Sequence, residues 1–107
     1  MSMSTAKVLW VEDQFDTIKG TVRRLRRLGH EVDVCVSSEK AKGLILQNKY
    51  THVIVDFQIP QTDDSDPVKG EGLNFIDYIT PPTGEYDYRP ERVLLLTAQS
   101  ANLKRDF

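Results

Sequence analysis

Three runs of continuous apolarity, Lys7-Val8-Leu9-Trp10-Val11, Val53-Ile54-Val55 and Val93-Leu94-Leu95-Leu96, constrain this chain more than any other feature. Apolar residues that do not alternate with polar ones read as strands covered on both faces, as in a parallel sheet. Between the first two runs the period changes. Phe15, Ile18, Val22, Leu25 and Leu28 recur at spacings of three and four, with Lys19, Arg23, Arg24, Arg26 and Arg27 on the other face. This predicts a helix with Asp13 or Asp16 near its N-terminus and Gly29 at its end. From Glu31 to Val36, Val32, Val34 and Val36 alternate with polar residues, as expected of a less covered strand near a sheet edge. Ser37-Ser38-Glu39 supplies the cap and first-turn acid of a second helix, whose apolar residues are Ala41, Leu44, Ile45 and Tyr50. Pro60 closes the segment after Asp56, and residues 61–70 read as polar loop. A short helix is expected over about residues 72–79, carrying Leu73, Phe75, Ile76 and Ile79. Pro81, Pro82, Gly84 and Pro90 make 80–91 a second loop.

The resulting order, β-α-β-α-β-α-β, calls for a mostly parallel sheet with helices on both faces. One domain spanning 1–107 and one modest core suit the length of 107 residues. A net charge of −2 gives no reason to expect a nucleic acid or an anionic membrane as partner. Cys35 is the lone cysteine, so no internal disulfide can form and a reducing compartment fits best. No apolar run approaches the length of a membrane span, and Met1-Ser2-Met3-Ser4-Thr5 lacks the regions of a signal peptide. A cytoplasmic protein is the expectation.

In open α/β sheets the site lies outside the carboxyl ends of the strands. Three of those ends here carry polar groups: Glu12-Asp13, Asp56 and Thr97. An acid after a strand is often only a helix cap or a solvated loop residue, but three acids and a threonine at three strand ends are harder to attribute to that. Carboxylates gathered in one place repel, and a divalent cation relieves the repulsion; an all-oxygen ligand set favours Mg²⁺. A carboxylate is also a workable nucleophile toward phosphorus, and a nearby hydroxyl can hydrogen-bond a phosphoryl oxygen. If the carboxyl groups of Asp13 and Asp56 lie beyond roughly 6 Å, one Mg²⁺ with bonds of about 2 Å cannot bridge them.

These residues resemble the receiver domains of two-component signalling. Lys7 to Asp13 is similar to the family's first strand and acidic pair. His52-Val53-Ile54-Val55-Asp56-Phe57-Gln58-Ile59-Pro60 is similar to its third strand, with the phosphoacceptor and a proline four residues on. Gly72-Leu73 resembles the opening of the third helix, and Val93 to Ala98 the fourth strand with its switch threonine. The resemblance implies a flavodoxin-like three-layer α/β/α fold and a phosphoacceptor rather than a turnover enzyme. Asp56 would accept the phosphoryl group and bind Mg²⁺, Asp13 would bind the ion directly, and Glu12 directly or through water. The Gln58 carbonyl would complete the ligand set, and Thr97 would contact the phosphoryl group. A histidine kinase or phosphotransfer protein is the implied partner.

Two departures qualify the resemblance. The loops at 61–70 and 80–91 are longer than the family's. The fifth strand, with its lysine, and the fifth helix are not expected within 107 residues, and Lys104 lies too close to Thr97 to replace that lysine. The apolar strand 93–96 would then form the sheet edge, which a homodimer or another partner would cover; the rival reading is that the chain is a fragment of a longer receiver. An alternative therefore stays open: a phosphorylation-independent receiver-like module for protein binding or dimerisation. A small phosphohydrolase is disfavoured because Gln58 stands where a second aspartate would be needed. The arginines of the first helix read as a solvated face or a docking surface for an acidic partner. Asp63, Asp64 and Asp66 lack the spacing of a calcium loop. His30 and His52 have no companions for zinc, and Cys35 reads as packing. Tyr86 and Tyr88 are candidates for a loop contact surface.

Overall fold

The computed structural model describes residues 5–80 and 89–97. Four parallel strands, β1 (Lys7–Val11), β2 (Glu31–Cys35), β3 (His52–Asp56) and β6 (Arg92–Leu96), form one sheet in the order β2-β1-β3-β6. Strand β1, apolar and buried from Val8 to Val11, lies inside, while the alternating β2 forms an edge, as its pattern requires. On that edge the polar residue Asp33 accepts a 2.6 Å hydrogen bond from the Tyr50 hydroxyl, so β2 tolerates a carboxylate that an interior strand would not.

Helix α1 (Lys19–Arg27) covers one face of the sheet, where Ile18 and Val22 pack with Val8, Trp10 and Val32. Helices α2 (Ser38–Gln47) and α3 (Glu71–Ile79) cover the other, where Ala41, Ile45, Phe75 and Ile79 meet Leu9, Val11, Val53 and Val55. Alternate residues of β1 thus serve opposite layers, the period-two consequence of a strand buried on both sides. This is the three-layer α/β/α arrangement. Each fully buried large side chain contributes about 1.5–3 kcal/mol by leaving water. Trp10 fills the α1 face, and its indole N–H finds no hydrogen-bond partner among the described residues.

Three local expectations need correction. The first helix does not begin at Phe15: residues Phe15–Thr17 form a 3₁₀ turn, and α1 starts at Lys19 after Ile18. No side chain caps either start, so neither Asp13 nor Asp16 acts as the cap, and Phe15 is exposed. Gly29, at φ 99°, follows the end of α1 as expected, in a conformation that other residues rarely adopt.

The segment 61–70 is not all loop. Strand β4 (Gln58–Pro60) pairs antiparallel with β5 (Pro67–Lys69) in a separate hairpin whose tip carries Asp63 and Asp64. Proline at both Pro60 and Pro67 hides the pairing in the sequence, although a two-stranded edge accepts it. The hairpin is tied to the start of α2. Ser37 caps the helix by accepting from the Lys40 amide at 3.2 Å and donates to Asp63 at 2.5 Å, while the Glu39 amide donates to the Gln61 carbonyl at 3.0 Å. Third, the run 93–96 is not covered on both faces among the described residues: β6 ends the sheet there, and Val93 and Leu94 are exposed, while α3 falls where the short helix was expected. Most of the expected loop 80–91, including Tyr86 and Tyr88, lies outside the described residues, as does Lys104.

Candidate metal and phosphoryl site

Parallel pairing brings the carboxyl ends of β1, β3 and β6 to one edge of the sheet. Glu12 and Asp13 follow β1, Asp56 ends β3, and Thr97 follows β6. The register sets Asp56 beside Leu96, and the Phe57 amide donates to the Leu96 carbonyl at 2.6 Å, so Thr97 emerges next to the acidic group. One oxygen from each of Glu12, Asp13 and Asp56 lies within 4.8 Å of the others, inside the roughly 6 Å limit for a shared cation. Gln58 stands two residues past Asp56 at the start of β4, and its amide donates to Asp56 Oδ1 at 3.3 Å.

The environments differ. Glu12 is only 7% exposed, and its Oε2 accepts from the Gln14 amide at 3.2 Å. Burial pushes its carboxyl up to about 7; the Gln14 N–H opposes the shift, and the Asp56 and Asp13 carboxylates reinforce it. Three carboxylates with oxygens this close, one of them buried, form the all-oxygen donor set of a hard-cation site. The residues present therefore fit Mg²⁺. Thr97 Oγ1 is buried without a hydrogen-bond partner among the described residues.

A pH dependence follows from Glu12. A carboxyl that titrates near 7 when folded and near 4.5 otherwise favours the metal-free fold fully below about 4.5 and loses that contribution as pH rises through about 7. Denaturant unfolding in chelator is expected to show a loss on the order of 2 kcal/mol between pH 5 and 8, a tenfold change in proton affinity being worth about 1.36 kcal/mol. Glu12→Gln should flatten that window; an equal slope in the variant would remove Glu12 as its source.

Glycine at position 72 sets the back wall. A Cβ there would fall 2.1 Å from the Asp56 carbonyl oxygen and 3.0 Å from Phe57 Cα, so the first turn of α3 lies directly against the Asp56–Phe57 backbone. The amides of Gly70 and Gly72 both donate to the Phe57 carbonyl, at 3.2 and 3.1 Å. Beside it Glu71, which no sequence pattern singled out, is only 5% exposed and accepts from Ser38 Oγ and from Asn74 Nδ2. Its only signal was an acid opening an apolar helix, which ordinarily marks a solvated first turn.

No protein-family model matches the chain, and no curated protein does. Solved structures do. The chemotaxis response regulator CheY4 of Vibrio cholerae superposes with a TM-score of 0.68 at 21% identity, over 96% of this chain and 77% of that one. The non-phosphorylated HemR receiver domain from Leptospira biflexa gives 0.66 at 24% identity, over 94% and 71%. A CheY-like response regulator receiver domain from Methylobacillus flagellatus gives 0.62 at 20%, over 88% and 70%. Strand order, helix placement and the acidic edge converge on one architecture: the chain has the fold of CheY-like response-regulator receiver domains.

Proposed function

We propose that the chain is a signal-transduction receiver that accepts a phosphoryl group on Asp56. The observation that carries this reading is the convergence of Glu12, Asp13 and Asp56 oxygens within 4.8 Å at the carboxyl ends of two neighbouring strands. Glu12, Asp13, Asp56 and the Gln58 carbonyl would hold Mg²⁺, which supplies charge neutralisation for phosphoryl transfer when bound. An Asp56 carboxylate oxygen forms the new O–P bond as the bond from phosphorus to the donor's leaving group breaks. The leaving group takes that electron pair: an imidazole from a histidine donor also takes up a solvent proton, whereas an acyl phosphate's carboxylate departs as the anion. The Thr97 hydroxyl, without a partner among the described residues, then donates to a phosphoryl oxygen, and its movement relays the state to the surface around β6.

The donor is a histidine kinase or phosphotransfer protein, or a small acyl phosphate, in a cytoplasmic setting consistent with the single thiol. Incubation with acetyl phosphate and Mg²⁺ is expected to add one phosphoryl group by intact mass, and Asp56→Asn to add none. An unchanged wild-type mass at millimolar Mg²⁺ would transfer support to the phosphorylation-independent binding module. That alternative draws on one observation: among the described residues, no lysine or arginine lies within 4 Å of the Asp13 or Asp56 carboxylates.

The reading includes self-association. Strand β6 ends the sheet among the described residues, with Val93 and Leu94 exposed by 40% and 52%. Beside them an apolar groove of about 710 Å³ runs between α1 and the sheet, floored by Val8, Leu25, Ile54 and Leu94. A homodimer would cover this edge. Light scattering is expected to show mass rising from one chain toward two with concentration; one chain at every concentration would count against it.

A further inference from the structure

We infer that Glu71 is a positioning residue for Asp56, acting through α3 as a clamp closed by Ser38; this rests on the phosphoacceptor reading above. The carboxylate of Glu71 is buried at the start of α3, where an unpaired charge would be costly. It is held from two sides. Ser38 Oγ, at the start of α2, donates to Oε2, and Asn74 Nδ2, one turn along α3, donates to Oε1 at 3.0 Å. These bonds, together with Lys42 and Gln61, outweigh the upward push of burial and keep the carboxyl below its ordinary value, so it stays ionised. Ser38 Oγ also lies 3.4 Å from the Gln61 carbonyl, on the hairpin that follows Asp56.

The position of this clamp gives it a consequence beyond stability. The residues on either side of Glu71 are the two whose amides grip the Phe57 carbonyl, and Gly72 touches the Asp56 carbonyl closely enough to exclude a methyl group. The Phe57 amide is at the same time fixed to β6 at Leu96. The Asp56–Phe57 peptide is thus held between β6 and the first turn of α3. What fixes that turn laterally is the bond from Glu71 across to α2. Loosening it lets the acceptor carboxylate drift relative to Glu12 and Asp13, which follow β1 and, among the described residues, make no hydrogen bond to the first turn of α3; β1 meets α3 further along the helix, at Phe75 and Ile79. In-line attack on phosphorus tolerates little drift: a misplacement of about 1 Å can cost on the order of a hundredfold in rate.

The test uses the full chain with Ser38→Ala, Ser38→Thr and Glu71→Ala. Amide hydrogen exchange reads the clamp itself. In Ser38→Ala and Glu71→Ala the Gly70 and Gly72 amides should exchange about tenfold faster, as local opening requires. The Glu12 amide, bonded to Cys35 on β2, should stay within about twofold. At saturating Mg²⁺, acetyl phosphate labelling of Asp56 should slow by about tenfold or more in the same two variants. Ser38→Thr, which keeps the hydroxyl, should restore both readouts. Unchanged exchange at Gly70 and Gly72 in folded variants overturns the clamp, and so does an equal rise at Glu12, which would mark general loosening. If Glu71→Ala does not fold, Ser38→Ala decides. A wild-type chain that takes no label removes the phosphoacceptor reading, and with it any positioning role for Glu71 in phosphoryl transfer; exchange at Gly70 and Gly72 then still shows whether the clamp holds that peptide.

Discussion

Gly72→Ala is expected to destabilise the protein by about 2 kcal/mol and to displace Asp56, while the same substitution at Gly43 stabilises it. Position 72 is helical with no positive φ, so backbone freedom is not the issue. The obstacle is contact with backbone: the added Cβ would meet the Asp56 carbonyl oxygen at 2.1 Å and its carbon at 2.9 Å, and neither can rotate away. Overpacking of this kind costs about 1–3 kcal/mol, against a gain of about 0.5–1 kcal/mol for alanine over glycine in a helix. Gly43, in the middle of α2, has nothing within 4 Å of its would-be Cβ and shows only the gain. At roughly 4–8 °C per kcal/mol for a domain of this size, the two variants should melt on opposite sides of the wild type. Equal melting temperatures for Gly72→Ala and the wild type would mean that α3 does not bear closely on Asp56.

Asp56→Asn should raise the melting temperature without Mg²⁺ and erase the response to Mg²⁺. The wild-type cluster sets three carboxylates together, and Asp56 is one of the charges that push the Glu12 carboxyl upward. Removing that charge relieves repulsion worth about 1 kcal/mol at such distances in a well-solvated setting. Mg²⁺ binding to the native state adds RT ln(1 + [L]/Kd), so the wild type should gain several degrees at millimolar Mg²⁺ while the variant gains little. A thermal-shift series with Mg²⁺ and with chelator reads both effects. A variant destabilised in chelator would show that the carboxylates support the fold rather than strain it. This trade of stability for a charged site is common where function needs like charges in proximity.

Much of what depends on period and burial was legible in the sequence, except that the run Val93 to Leu96, which reads as covered on both faces, is exposed at Val93 and Leu94 among the described residues. Lys7 to Val11 and Val53 to Val55 announced interior strands because both of their faces are covered, and alternation at Val32 and Val34 announced an edge. Parallel topology then brought Glu12, Asp13, Asp56 and Thr97 to the same edge, since all four follow or end strands running one way. What escaped was decided by contacts between segments distant in sequence. The β4–β5 hairpin depends on register between Ile59 and Val68, flanked by prolines that argue against strands. Phe15 fits the helical stripe by spacing, but no side chain caps a helix there and the chain makes a 3₁₀ turn instead. Glu71 resembled any acid in a first turn; only the approach of Ser38 makes it a buried, ionised group. Resemblance supplied the expected role of Gln58, which no local pattern specifies.

The strand order also dictates a folding sequence. Strand β1 pairs with β2 and, on its other edge, with β3, so the centre of the sheet is finished only when residues nearly twice as far apart in the chain pair, Val8 with His52 against Lys7 with Glu31. Doubling a loop adds only about 0.6 kcal/mol of closure entropy, a modest thermodynamic penalty, but non-local parallel pairing slows the search for it. During synthesis the three acids can therefore meet as soon as β3 docks, before β6 has been made. Until β6 arrives, β3 offers a bare apolar flank to the cell, and this interval is when a slowly folding chain of this design is most exposed to aggregation.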